Sequence, residues 1–224
     1  MTTKVQRSRG MPRRTAVDAP TSRTPLLIGM AVVGIVALLA VLALVLGGVG
    51  AGGLSEPATT PIRVSGDTLP ALDAGASSDP AVGLPIPTIT GTDQSGEPMT
   101  IGPDDGPLAL VIVAHWCPHC QAEVPRIQDW LDAGGLPTGV KLVSVVTSTS
   151  STRPNYPPSA WLKRENWSPP VLVDDADSTA LQAFGMNSFP AFVFVDGNGR
   201  VVARTTGEIT IDQLQATVDQ LAPQ

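Results

Sequence analysis

Seven consecutive apolar residues, Leu108–Ala114, lead through His115 into Trp116-Cys117-Pro118-His119-Cys120. An unbroken apolar run of this length reads as a central strand covered on both faces. From Pro118 the pattern turns helical, with Val124, Ile127, Trp130 and Leu131 on one face and Gly134-Gly135 as the stop. A doubly covered strand feeding a helix requires layers on both sides of a sheet, hence an α/β fold. The remaining pattern agrees. Lys141–Val146 and Val171–Val173 read as buried strands, and Ser159–Arg164 and Asp177–Phe184 as short helices. Pro87–Thr90 and Glu97–Ile101 flank Asp93-Gln94-Ser95-Gly96 as an opening hairpin. Ala191–Val195 and Val201–Arg204 flank the turn Asp196-Gly197-Asn198-Gly199 as a closing one. Thr210 caps a last helix, with Gln213 placed for a capping box and Ile211, Leu214, Val218 and Leu221 as its apolar stripe.

All nine aromatic residues lie between Trp116 and Phe194, which places the folded domain at residues 84–224. Ahead of it the chain has three other textures. Residues 1–25 carry six basic residues against the single acid Asp18 and read as a basic cytoplasmic arm. Residues 26–46 hold no charge and nothing more polar than glycine; as a helix they span about 31 Å, the thickness of a bilayer's hydrocarbon core. The length of this run favours a transmembrane signal anchor over a cleaved signal peptide, whose apolar region is usually shorter. With the basic arm inside, everything after Leu46 lies outside the cell membrane, where disulfides are tolerated. Residues 47–83, rich in Gly, Pro, Ser and Ala and without an aromatic, read as a flexible extracytoplasmic linker. The net charge of −6 argues against nucleic acid as a partner.

Chemistry concentrates in Cys117 and Cys120, the only two cysteines. Two thiols separated by two residues at the start of a helix close a disulfide with little backbone change. Cys117 sits where unpaired backbone N–H groups favour an anionic sulfur, and Pro118 suits the first helical position. Cys120 falls one turn in and more shielded. The asymmetry makes Cys117 the attacking thiol and Cys120 the resolving one. A structural disulfide closing so short a loop would stabilise little. The only histidines, His115 and His119, lie beside and inside the motif, so a zinc or copper site lacks ligands, and no metal or other cofactor is expected. Trp130, Trp161 and Trp167 read as packing residues.

Trp116-Cys-Pro-His-Cys120 followed by Gln121-Ala-Glu123-Val-Pro125 resembles the W-C-x-x-C-x-x-E-x-P signature of membrane-anchored thioredoxin-like proteins of the TlpA and ResA type. Leu84–Gly96 resembles their opening hairpin, and Ser188-Phe189-Pro190 with the strand that follows resembles their proline loop and final hairpin. The likeness runs through the whole domain. It implies a thioredoxin fold, a central mixed sheet flanked by helices with an N-terminal hairpin extension. It also implies a cis bond at Phe189–Pro190, with that loop packed against the cysteines to hold a substrate peptide. Glu123 stands where the family places its active-site acid, whereas Val111 stands where cytoplasmic thioredoxins bury one. The Pro118-His119 pair departs from the family's usual reductants and matches the dipeptide of DsbA-type oxidants, a difference of about 150 mV between type members.

The expected function is therefore thiol:disulfide exchange with cysteine-bearing extracytoplasmic proteins, leaning to oxidation. His119, Glu123 and Pro118 would tune the thiols, Trp116, Phe189 and Pro190 would receive substrate, and a redox partner protein would reset the pair. Two other readings stand beside it: a non-catalytic thioredoxin-fold adaptor or metallochaperone, and a thiol peroxidase.

Overall fold

The structure, a computed structural model, describes residues 60–222. The basic arm, the apolar span and the first part of the linker lie outside the described residues. Among the described residues no helix is long and apolar enough to cross a membrane. The strands are β1 (Arg63–Ser65), β2 (Thr88–Asp93), β3 (Pro98–Ile101), β4 (Leu108–Val113), β5 (Lys141–Val146), β6 (Val171–Val173), β7 (Ala191–Val195) and β8 (Val201–Thr206). The helices are α1 (Pro118–Asp132), α2 (Pro158–Arg164), α3 (Thr179–Ala183) and α4 (Ile211–Asp219).

One mixed sheet runs in the order β1-β2-β6-β5-β4-β7-β8, with β3 on the other edge of β2. β4 pairs parallel with β5 and antiparallel with β7, which places it at the centre. Its six residues are all buried, and they divide by parity. Leu108, Leu110 and Ile112 join one core with Val193, Phe184 and Leu172; Ala109, Val111 and Val113 join the other with Ile127, Phe192, Trp161 and Leu214. Two apolar layers on one strand explain why its sequence shows no alternation. On α4 the capping box forms as expected, Thr210 Oγ1 accepting from the Gln213 N–H at 3.1 Å and Gln213 Oε1 from the Thr210 N–H at 2.8 Å.

The linker expectation does not hold for residues 60–83. β1 pairs antiparallel with Thr88–Thr90, and Ile62, Leu69 and Ala81 are buried in the first core. The Leu69 N–H donates to the Ala183 carbonyl at 2.9 Å and the Leu72 N–H to that of Gly185 at 2.8 Å. A Cβ at Gly185, whose φ is +68°, would stand 2.2 Å from the Pro70 carbonyl oxygen, so only glycine admits this strap. Arg204 fastens it. Its buried guanidinium donates to both carboxylate oxygens of Asp79, at 2.6 and 2.9 Å, and to the carbonyls of Pro70 and Phe184. Main-chain bonds and one ion pair leave no hydrophobic period, so composition resembles a tether while geometry is fixed.

The hydrogen bond from Arg204 holds the Asp79 carboxyl below its ordinary pKa, against the opposing effect of burial. Its contribution to stability is present above the unfolded value and is lost as pH falls through the folded one. An Arg204→Met substitution leaves Asp79 charged without its partner and is expected to cost about 3 kcal/mol. Calorimetry should show the lower midpoint, and hydrogen exchange should speed at Leu69 and Leu72.

Candidate active site

The site forms where β4 ends. Cys117 takes the N-cap position of α1 with extended backbone (φ −77°, ψ 121°), its N–H donating to the Ala114 carbonyl at 3.0 Å. Pro118 occupies the first helical position, where no backbone N–H is required. This stacking of strand end, turn and helix start puts the Cys117 sulfur just past the end of the central strand and turns Cys120 inward. Both thiols are free in this structure. Cys117 is 5% exposed and Cys120 fully buried. Burial pushes the Cys120 thiol far up, the nearby Cys117 and Glu123 adding to it, while the Ala114 N–H at 3.4 Å works the other way.

Across from the thiols lies the loop before β7. The Phe189–Pro190 bond is cis, and Cys117 Sγ donates to the Phe189 carbonyl at 3.6 Å. The Gly207 N–H bonds to the Pro190 carbonyl at 2.8 Å, which leaves the Phe189 side of the loop facing the thiol. Phe189 meets Trp116 edge to face, ring centres 5.3 Å apart. Trp116 is held by its own Nε1, donating to the Ser148 carbonyl at 2.8 Å, with the Arg153 guanidinium 4.4 Å above its ring. The two aromatics expected at the rim are thus neighbours.

Glu123 is fully buried, as an acid beside the resolving thiol would be, and burial raises its pKa. Arg126 one turn later opposes that rise through an ion pair, and the Ile209 N–H approaches at 3.5 Å. The His119 side chain is 70% exposed, and its Nδ1 donates to Glu208 Oε1 at 2.7 Å. Sequence reasoning missed Arg126 and Glu208 altogether. Glu208 lies 89 residues from His119, in the loop between β8 and α4, and nothing local marks it.

His115, given no role from sequence, is buried and orders the neighbouring loop. The Ser150 N–H donates to its Nε2 at 3.2 Å, so Nε2 is the unprotonated nitrogen and Nδ1–H donates to the Pro154 carbonyl at 2.7 Å. Its own carbonyl accepts from Gln121 and Asn155. The ring therefore fixes residues 148–156, which carry the support of Trp116. Trp130 and Trp161 are core residues, and Trp167 packs against the same core while donating to Ser144 Oγ at 2.8 Å. Among the described residues no three His, Cys, Asp or Glu side chains converge as metal ligands.

A mixed sheet whose central strand delivers a Cys-x-x-Cys pair to a helix N-terminus, facing a cis proline, defines a thioredoxin-like oxidoreductase. A profile of the Redoxin family matches residues 81–221, and the chain belongs to that family. No curated protein matches it by sequence. Among solved structures, a DsbF homologue from Corynebacterium diphtheriae superposes with a TM-score of 0.56 at 20% identity, over 70% of this chain and 100% of that one. The thioredoxin domain of a thiol-disulfide oxidoreductase from Bacteroides vulgatus superposes with 0.51 at 19% identity, over 64% and 99%. At these identities the likeness is one of fold.

Proposed function

We propose that this chain exchanges disulfides with cysteine-bearing proteins through Cys117 and Cys120, outside the membrane that residues 26–46 span. The observation that carries the reading is the unequal pair. One sulfur stands at a helix N-terminus 3.6 Å from the carbonyl before a cis proline, and the other is sealed behind it. The names of the solved relatives, a DsbF homologue and a thiol-disulfide oxidoreductase, point the same way.

Written from the dithiol, the Cys117 thiolate attacks a substrate disulfide, forming a mixed disulfide and releasing one substrate thiolate. Cys120 then gives up its proton and attacks Cys117 Sγ. A Cys117–Cys120 disulfide forms, the second substrate thiolate leaves, and two electrons pass to the substrate. The reverse sequence oxidises a substrate dithiol. Glu123 takes or returns the Cys120 proton, directly or through one water. Trp116 and Phe189 receive the apolar part of the peptide, and the Pro190 loop, having no N–H at the proline, offers its Phe189 carbonyl side.

The direction we infer is oxidising, supported by the Pro118-His119 dipeptide. Equilibration with glutathione buffers is expected to reveal one two-electron couple more oxidising than about −270 mV, the value typical of thioredoxin. A value at or below that figure overturns the direction. Absence of any two-electron couple overturns the exchange reading itself.

A further inference from the structure

Arg126 has no task in the exchange chemistry, yet it is the hub of the charges around it. A guanidinium facing a carboxylate usually presents two nitrogens in a fork. Here a single atom, Nη2, serves three acceptors: Glu123, Glu208 Oε2 at 3.2 Å and the Ile209 carbonyl at 3.4 Å. Its Nε is buried without a hydrogen-bond partner. Two acids of different exposure thus divide one cation, Glu123 fully buried and Glu208 35% exposed at the rim. Glu208 is in turn bonded to His119, one of the two residues between the cysteines.

We propose that Arg126 and Glu208 are positioning residues that together set the charge state of Glu123. Arg126 holds the buried carboxylate ready to accept the Cys120 proton, and Glu208 withdraws part of that cation toward the rim. The role assigned to Glu123 rests on the exchange reading given above.

The surroundings of Glu123 leave these two as its controlling charges. α1 contributes Arg126 and the thiols Cys117 and Cys120, with His119 directed to Glu208. The loop before α4 contributes Glu208 and the Ile209 N–H. β4 and β7 consist of apolar residues only. α4 carries Asp212 and Asp219, neither bonded to Glu123. Arg126 favours the ionised acid and Glu208 disfavours it, so their removal must act in opposite senses. A common structural defect would move both variants the same way.

The test uses the full-length chain and two readouts. The first is a carbon-13 titration of the Glu123 carboxyl, assigned by its disappearance in Glu123→Gln. The second is the pH profile of a single-turnover reaction between the reduced chain and a disulfide-bonded model peptide. In Arg126→Gln both midpoints should rise by about one to three pH units, the range for losing an opposite charge beside a carboxylate. In Glu208→Gln both should fall, by less, because Glu208 is partly exposed. Arg126→Lys should return the midpoint toward wild type. Arg126 is itself 42% exposed, so its replacement leaves the core intact. Unchanged midpoints, or shifts in the same direction in both glutamine variants, overturn the proposal. If the wild-type chain fails to react with the peptide, the exchange reading falls, and the carboxyl titration still decides whether Arg126 and Glu208 control Glu123.

Discussion

Cys117→Ser is expected to lose disulfide exchange by roughly 10³-fold or more, whereas Cys120→Ser should accumulate mixed disulfides with its partners. The contrast follows from position. Only Cys117 Sγ reaches the loop carrying the cis proline, and Cys120, fully buried beneath it, has no path to a substrate sulfur. Serine at 117 removes the nucleophile and leaves nothing to replace it. Serine at 120 permits the first attack and blocks the second, so the intermediate persists until a small thiol releases it. Non-reducing electrophoresis before and after dithiothreitol reads both outcomes. Full biological activity in Cys117→Ser would sink the enzymatic mechanism and favour an adaptor or metallochaperone, whose partner binding needs no bond to sulfur. Sustained peroxide turnover with a thiol reductant, without protein complexes, would favour a thiol peroxidase. After brief treatment of intact cells with a membrane-impermeant phosphine reductant, a membrane-impermeant maleimide should label the wild-type chain and not Cys117→Ser. Labelling only after lysis would overturn the external placement of the domain.

What the sequence made legible was whatever is local or repeated. β4 was readable because two cores need apolar residues at both parities, and an unbroken run is the only pattern that supplies them. The start of α4 was readable because Thr210 and Gln213 are three residues apart and satisfy each other's backbone donors. The cysteines were readable from spacing, and the proline loop through its resemblance to a family. Illegible features depend on pairs distant in the chain. Arg204 meets Asp79 across 125 positions, and its anchoring of residues 60–83 leaves no hydrophobic period to read. His119 meets Glu208 across 89, and that bond ties the histidine into a charge network no local pattern shows. A local motif names the residues that react; which charges surround them depends on loops brought in from the far end of the fold.

Glu123→Gln is expected to slow exchange by about 10²-fold and, at neutral pH, to make the domain more stable. The two effects share one cause. Burial raises the Glu123 pKa above its ordinary value, and the pull of Arg126 only partly offsets this. The folded protein therefore binds a proton that the unfolded chain has released in the window between the two values. For a group raised in this way, the stabilising effect is complete below the unfolded pKa and is lost as pH rises through the folded one. Wild-type stability should consequently decline across that window, and the glutamine variant, neutral and nearly isosteric, should lack the decline. Exchange should show the opposite trend, since an ionised Glu123 is needed to accept the Cys120 proton. Its rate should climb with pH through the same window in wild type, and that limb should be missing in the variant. Thermal midpoints and single-turnover rates measured over one pH series test both limbs. A variant that is slower and also less stable at every pH would mean that Glu123 serves packing, with Arg126 as its structural partner. A matched rise in stability and fall in rate would mean that the buried charge is kept, at a cost to the fold, for the proton it moves.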